Sequence, residues 1–421
     1  MHIVVVGAGL IGVTSAYRLQ RAGHTVTVVE RESAVARGAS YANGGMLTPS
    51  MADPWNAPGV WKELLRSLGR ADAPMLVRPH AIPSLFTWGL RFLAASSAAR
   101  FADNTSRNLR LAAYSVAGME QLRREENLQY AAATLGTMKI YRDARAFEAG
   151  LRKAQTCSHP GVEIRALNAA QAVELEPGLA DIESDLAGAL HFPRDEAGDA
   201  RLFTEALCDA AQRRGVAFSF NTAVDGIVAD SRVRGLKTTK GDIDADAVVV
   251  ASGCHAGGAL LRNLGIRLPV KPVKGYSLTC APGASAQIPL KMPIADDALH
   301  AALTPLGRTV RIAGTAEFTG FDTKLSPSRI DNLRGLLKAI LPRHAEQLLA
   351  GKVLPWAGLR PMSADGVPFI GACGPTGLYV NCGHGHLGWT MADGSARMLA
   401  DLVDGKSAVL AAADYSPRRF E

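Results

Sequence analysis

The sequence lacks the signatures of several large protein classes. Its six cysteines, Cys157, Cys208, Cys254, Cys280, Cys373 and Cys382, are scattered, with no CxxC pair and no Cys/His spacing that suits a metal. No metal site is expected, and reduced thiols in a cytoplasmic protein fit better than a disulfide framework at this size. Beyond the first 17 positions no apolar run reaches the roughly 18 residues of a membrane span. No Lys or Arg precedes the apolar N-terminus, which argues against a signal peptide. Basic clusters are missing too. The densest are pairs such as Arg123-Arg124 and Arg213-Arg214, and the net charge is only +7. A nucleic-acid partner is not expected. The mild excess fits a solvated surface and leaves open attraction to an anionic membrane face or acidic substrates.

What is present describes a globular chain. Hydrophobic residues make up 48% and charged residues 20% of 421 positions, enough for one large or two ordinary domains. Glycine, at 42 residues, exceeds the roughly 7% norm and points to tight turns or ligand-hugging backbone.

The first 30 residues form one unit. Residues 2–6, HIVVV, suit a fully buried parallel strand. Gly7-Ala8-Gly9-Leu10-Ile11-Gly12 follows at once, then a helix over 13–22 and a second strand over 24–29 ending on Glu30. In that context the GxGxxG pattern predicts a dinucleotide site. Gly7 permits the turn, Gly9 lets backbone approach a pyrophosphate, and Gly12 lets helix and sheet pack closely. The helix N-terminus offers free N–H groups to phosphates. Glu30 is placed to accept from an adenosine ribose and disfavours a 2′-phosphate. A second run of small and polar residues, Gly38 to Met46, favours FAD over NAD, with Ser40 and Asn43 able to cap a helix or bond phosphate and flavin groups.

Residues 53–130 read as mostly helical, broken early by prolines, with one long helix over 101–126. The Trp-Lys-x-Leu-Leu-Arg stretch at 61–66 suits either a helix packed on its own domain or one lying on a membrane. Strands are predicted over 136–142, 188–192, 216–220, 224–229 and 232–238, with a helix over 199–214. Asp246 to Gly253 reads as a further buried strand running into glycine, so the cofactor domain is expected to be discontinuous. Residues 270–280 and 309–318 suit an antiparallel sheet, and 326–341 a helix. Near the end, a strand from Leu378 runs into a glycine-rich turn and a helix over 391–403, which would aim a helix N-terminus at a group that becomes negative.

At this point the sequence resembles a known family. The GAGLIG start, PRDEAGDARLF (193–203), VKGYSL (273–278), GLRPM (358–362) with Asp365-Gly366, and GHGHLGWT (383–390) resemble the FAD-dependent D-amino-acid dehydrogenases of the small-subunit type, in the D-amino-acid oxidase and glycine oxidase superfamily. The resemblance runs nearly end to end. It implies an α/β fold with two domains: a discontinuous Rossmann-like FAD-binding domain (1–52, 195–268 and 355–421) and a substrate domain on an antiparallel sheet plus helices (53–194 and 269–354).

The resemblance also implies a reaction. Hydride passes from Cα of a D-amino acid to flavin N5, and electrons leave to a quinone or other respiratory acceptor. D-alanine-like substrates and D-proline or cis-4-hydroxy-D-proline stay open. Arg360 matches the family's carboxylate-binding arginine, and Tyr276 an active-site tyrosine. The implied FAD contacts are Gly7, Gly9, Leu10, Ile11, Gly12, Glu30, Arg31, Ser40, Asn43, Gly44, Gly45, Val224, Gly253, Gly385, His386, Leu387, Gly388, Trp389 and Thr390. The Gly44-Gly45-Met46 segment departs from many dehydrogenases, which leaves that loop's flavin contacts open. Two alternatives stand beside this reading: an oxygen-using oxidase of glycine, sarcosine or a D-amino acid, and a flavin-carrying partner subunit with little activity alone. The expected location is cytoplasmic, with peripheral contact on the inner face of the membrane left open, as is the oligomeric state.

Overall fold

Two large sheets organise the chain. The computed structural model describes residues 1–67, 75–156, 159–283 and 287–421, so Cys157 and Pro74 lie outside the described residues. The first sheet has six strands in the spatial order Phe369–Ala372, Leu378–Cys382, Ala247–Val250, His2–Val6, Thr25–Val29 and Ala217–Ser219. All neighbours are parallel except the first pair. The strand His2–Val6 is central, which is why it reads as an unbroken apolar run. Ile3 and Val5 face one core, Val4 and Val6 another, as a two-residue side-chain period requires. This is the Rossmann-like sheet expected, and the chain returns to it at 247–250 and again at 369–382.

Three helices cover one face. Leu10–Arg21 begins directly on the glycine turn, three residues earlier than the pattern suggested. Gly388–Val403 packs against it, and Ala98–Glu126 packs on Gly388–Val403. The final helix also starts early: Gly388, Trp389 and Thr390 are its first turn rather than part of the loop. Arg18 and Asp393 join the first and last helices through two hydrogen bonds to one carboxylate oxygen, 2.7 Å from Nε and 2.5 Å from Nη2. The Asp393 side chain is fully buried, and burial raises its pKa despite the arginine.

The second sheet has nine strands. Its main path runs Lys352–Ser363, Val270–Ala281, Thr309–Phe318, Ala301–Leu306, Ile294–Asp296, Thr137–Tyr141, Gly188–Phe192 and Arg165–Leu167, with Met75–Val77 paired to Thr309–Phe318. Most pairs are antiparallel. Helices Pro327–Ile340 and Pro342–Ala350 cover one face and share its core. Two placements differ from the sequence-based partition. The boundary expected at 355 falls inside the strand Lys352–Ser363, which pairs with Val270–Ala281 along its whole length. The helix Ala98–Glu126, expected with the second unit, buries Leu111, Met119 and Leu122 in the core beneath the first sheet. Among the described residues, no helix is long and apolar enough to cross a membrane.

Replacing Arg18 with Met leaves Asp393 buried without its hydrogen-bonded cation, with only the Arg397 charge to offset it. The expected cost is about 3–5 kcal/mol, read from the urea midpoint. A loss below about 1 kcal/mol, the scale of an exposed pair, would show that this pair does not hold the two helices together.

Candidate active site

The glycine turn forms a cradle. Gly7 has φ +106°, and a Cβ there would lie 2.9 Å from the Ala251 carbonyl. A Cβ on Gly12 would lie 1.8 Å from the Gly7 carbonyl, so the helix meets the turn only through glycine. Gly9 is different. The nearest atom to a Cβ there is Ser40 Oγ at 3.7 Å, leaving the space beside its backbone open. Ser40 Oγ accepts from the Leu10 amide, while Ile11 and Gly12 lie in the first turn, where N–H groups have no intrahelical partner. Glu30, at the end of the second strand, accepts from the Ala8 amide at 2.6 Å and the Glu32 amide at 2.9 Å. Arg31 reaches His255 Nε2 at 3.1 Å, just past Gly253. Val224 packs with the cluster that contains Val29.

A second loop is fixed from the other sheet. Three consecutive carbonyls accept from three adjacent strands: Ala42 from Ser277 Oγ at 2.7 Å, Asn43 from Arg311 Nη1 at 3.2 Å, and Gly44 from Thr304 Oγ1 at 2.7 Å. Asn43 Oδ1 accepts from the Gly45 amide, closing the turn. Arg311 also forms a buried ion pair with Asp199 at 2.8 Å. Asp199 in turn caps the helix Ala200–Arg213 through Oδ1.

Arg360 lies on the same sheet face as Ser277 and Gly275. Its partner in the ladder is Val273, and a Cβ on Gly275 would fall 2.0 Å from Arg360 Nη1. The guanidinium occupies the space that glycine leaves. It is half-buried, stands over the Trp55 ring at 5.4 Å and donates to the Thr315 carbonyl at 3.3 Å. Among the described residues no carboxylate pairs with it. Burial pushes its pKa down to about 10, which still leaves it charged at neutral pH. His386 stacks on Trp55 at 5.3 Å. Burial, with the Arg360 charge, lowers its pKa to about 4, so it is neutral. Tyr41 and Trp356 stack at 6.5 Å nearby on the same face.

Four expected residues direct their side chains elsewhere. Tyr276 neighbours Gly275 in a strand, so its side chain takes the opposite face. It is buried with Leu333 and Leu337 and donates to Glu317 Oε2 at 2.6 Å. It does not join Arg360. Trp389 donates to the Gly198 carbonyl and packs on Phe203 and Tyr130, so its ring serves the core. Thr390 Oγ1 accepts from the Thr48 amide, and Leu387 is buried in the helical core. Of that segment, Gly385, His386 and the backbone opening the final helix remain near Arg360.

Sequence reasoning missed Trp55, Tyr41, Trp356 and Thr315. Thr315 has φ +61°, rare for a β-branched residue. It sits where the pairing of Lys274 with Glu317 shifts to that of Tyr276 with Gly314, a bulge that turns its carbonyl toward Arg360. Nothing in the sequence marks a bulge there. Thr315 Oγ1 and both ring nitrogens of His384 are buried without a partner among the described residues. Buried polar atoms rarely stay unpaired, so these fit a site that closes around a ligand. The open face at Gly9, the free helix amides and Glu30 fit the phosphates and ribose of FAD. Among the described residues no group of acids, histidines and cysteines could hold a metal.

A glycine turn that feeds a helix in a parallel sheet marks a dinucleotide-binding protein. A family model described as FAD dependent oxidoreductase (DAO) matches residues 2–402, and the chain belongs to that FAD-dependent family. It is 41% identical over 426 residues to the D-amino acid dehydrogenase of Paramagnetospirillum magneticum, covering all of this chain and 99% of that one. It is 39% identical to the D-amino acid dehydrogenase of Rhizorhabdus wittichii over the full length of both. Glycine oxidase from Geobacillus kaustophilus superposes with a TM-score of 0.77 at 26% identity, over 99% of this chain and 98% of that one.

Asp195 holds the segment that follows the second loop. Its buried carboxylate accepts from Ser50 Oγ, the Ser50 amide and Thr137 Oγ1, and burial raises its pKa to about 7. From about pH 4, the unfolded value, up to about pH 7 the folded state keeps a proton that the unfolded state has lost. Stability therefore falls as pH rises through that window. Asp195→Asn should remove that fall, on the order of 4 kcal/mol at about 1.4 kcal/mol per pH unit. Thermal melts of the two proteins that stay parallel between pH 4 and 7 would contradict it.

Proposed function

We propose that this chain is a D-amino acid dehydrogenase. It takes hydride from Cα of a D-amino acid, D-alanine-like or a D-proline, and passes the electrons to a quinone or another respiratory acceptor. The observation that carries the reading is Arg360, a half-buried cation with no carboxylate partner among the described residues, in a chain about 40% identical over its full length to proteins named D-amino acid dehydrogenase. Bound FAD supplies the acceptor for the hydride.

The chain's residues do the rest. Arg360 grips the substrate carboxylate through two parallel hydrogen bonds, which fixes the orientation of Cα. Burial beside the apolar rings disfavours a charged ammonium, so the amine gives its proton to solvent before the site closes and its lone pair assists hydride departure. His386, neutral, adds no competing charge. Trp55, Tyr41 and Trp356 keep water from the reacting carbon. The imino acid released then hydrolyses to a 2-oxo acid and ammonia, or remains cyclic when the substrate is a proline.

For the cofactor, Gly7, Gly9, Leu10, Ile11 and Gly12 serve the pyrophosphate, and Glu30 the ribose. Arg31, Val224 and Gly253 serve the adenosine side. Ser40, Asn43, Gly44, Gly45 and the Gly385–Gly388 backbone serve the flavin side. The FAD-binding unit comprises 1–52, 195–268 and the chain after Ser363, with the helix Ala98–Glu126 packed on it. The protein works at the cytoplasmic side, in peripheral contact with the membrane.

Purified protein should be yellow, and a D-amino acid should bleach it without oxygen while the L-form does not. Bleaching by neither would overturn the reading. Stoichiometric peroxide in air would favour the oxidase instead. Arg360→Met should raise KM about 10- to 100-fold, the value of a charged hydrogen bond, and an unchanged KM would remove Arg360 from the site. Gly9→Val, which fills the open space in the cradle, should give a colourless protein with an unaltered circular dichroism spectrum.

A further inference from the structure

We infer that the outer face of the helix Ile82–Ala94, together with Trp61, docks on the surface of an anionic phospholipid bilayer. This deepens the membrane-side location proposed above and is independent of the substrate.

The helix is apolar on both sides. Trp88 and Phe92 are buried, with Leu85 beside them, in a cluster with Phe318, Val273 and Met362. The opposite side carries Ile82, Phe86, Leu90 and Leu93, exposed by 49, 66, 56 and 43%. Their spacing of four, four and three residues sets them in one stripe. A helix that only capped its own domain would carry polar residues there. Two further segments extend the face. The helix Val60–Ser67 shares the cluster through Val60 and exposes Trp61, with Lys62 Nζ lying 5.5 Å from the indole. The loop bearing exposed Leu325 meets Arg78, Pro79 and His80 around an open cleft that Glu317 and Asp322 also line, just ahead of Ile82.

The charge pattern selects the occupant. No Asp or Glu occurs from residue 73 to 102, where Arg78, Arg91 and Arg100 do. Lys62 adds to the rim, whereas at its edge Arg78 is paired with Glu317 and Lys324 has Asp322 two residues away, so the net positive charge rests on Lys62, Arg91 and Arg100. Exposed aliphatic and aromatic tips with an indole, rimmed by basic residues, match the headgroup boundary of an anionic leaflet. A second copy fits less well, because two-fold pairing would bring the acid-free stretch bearing Arg91 and Arg100 against itself with no acid to offset it. The buried side of the same helix, opposite the stripe, shares its cluster with Trp55, on which His386 stacks and over which Arg360 stands.

The test sediments the full-length holoprotein with vesicles of phosphatidylcholine alone or mixed with phosphatidylglycerol. The wild type should bind the mixed vesicles at least about tenfold more tightly than Phe86→Glu/Leu90→Glu does, and added salt should weaken it. The double variant should keep its melting temperature and its turnover with a soluble dye. Equal sedimentation of the two proteins, or none by the wild type, overturns the inference. So does a wild-type dimer that the double variant dissociates, which would assign the face to a second copy. Sedimentation needs no substrate: a protein that binds vesicles yet oxidises no D-amino acid would retain this inference and refute the dehydrogenase.

Discussion

A guanidinium taken partly out of water, with no anion beside it among the described residues, is the constraint around which the site is arranged. Such a cation is costly to hold, and the chain holds it by geometry. Gly275 leaves the volume, the Trp55 face lies beneath, and the bulge at Thr315 turns one carbonyl toward it. Each feature positions the charge, and none neutralises it. A single hydrogen bond to a neutral oxygen leaves most of the fork free, so the site is complete only when a carboxylate arrives. A protein acid near Arg360 would have stabilised the empty site and opposed substrate binding.

The position of that cation depends on how the two sheets are joined. Arg360 belongs to the antiparallel sheet, whereas the glycine cradle belongs to the parallel one. The link runs through the loop at 42–44, held by Ser277, Arg311 and Thr304 from three adjacent strands. The Arg311–Asp199 ion pair then ties the antiparallel sheet to the cap of the helix Ala200–Arg213, on the other side of the molecule's core. Three neutral or charge-assisted bonds to consecutive carbonyls restrict a glycine-containing loop that would otherwise be costly to order. The substrate cation and the nucleotide cradle are thereby kept in register.

The parallel sheet was legible because its rules are local. HIVVV, the glycine turn and Glu30 lie within 30 residues, and burial on both faces gives an unbroken apolar run. The clamp on the loop was not legible, since Ser277, Thr304 and Arg311 are ordinary strand residues until the register is known. The same holds for Tyr276. Its motif marks the strand correctly, but one step along a strand reverses the side-chain direction, and Gly275 rather than Tyr276 faces Arg360. The boundary expected at 355 lies inside the strand Lys352–Ser363, because the pairing of that strand with Val270–Ala281 is a long-range contact that the GLRPM motif does not reveal. Trp389 shows the converse: a residue inside a recognisable motif whose ring serves packing.

The most direct test of this account is calorimetric titration of the FAD-loaded protein with isobutyrate and with isobutyramide, which share a shape and differ in charge. The account predicts that the carboxylate binds, that the amide does not, and that Arg360→Met abolishes the difference. Equal binding of the two, or carboxylate binding that survives the substitution, would show that the uncompensated cation is not what the site is built to use.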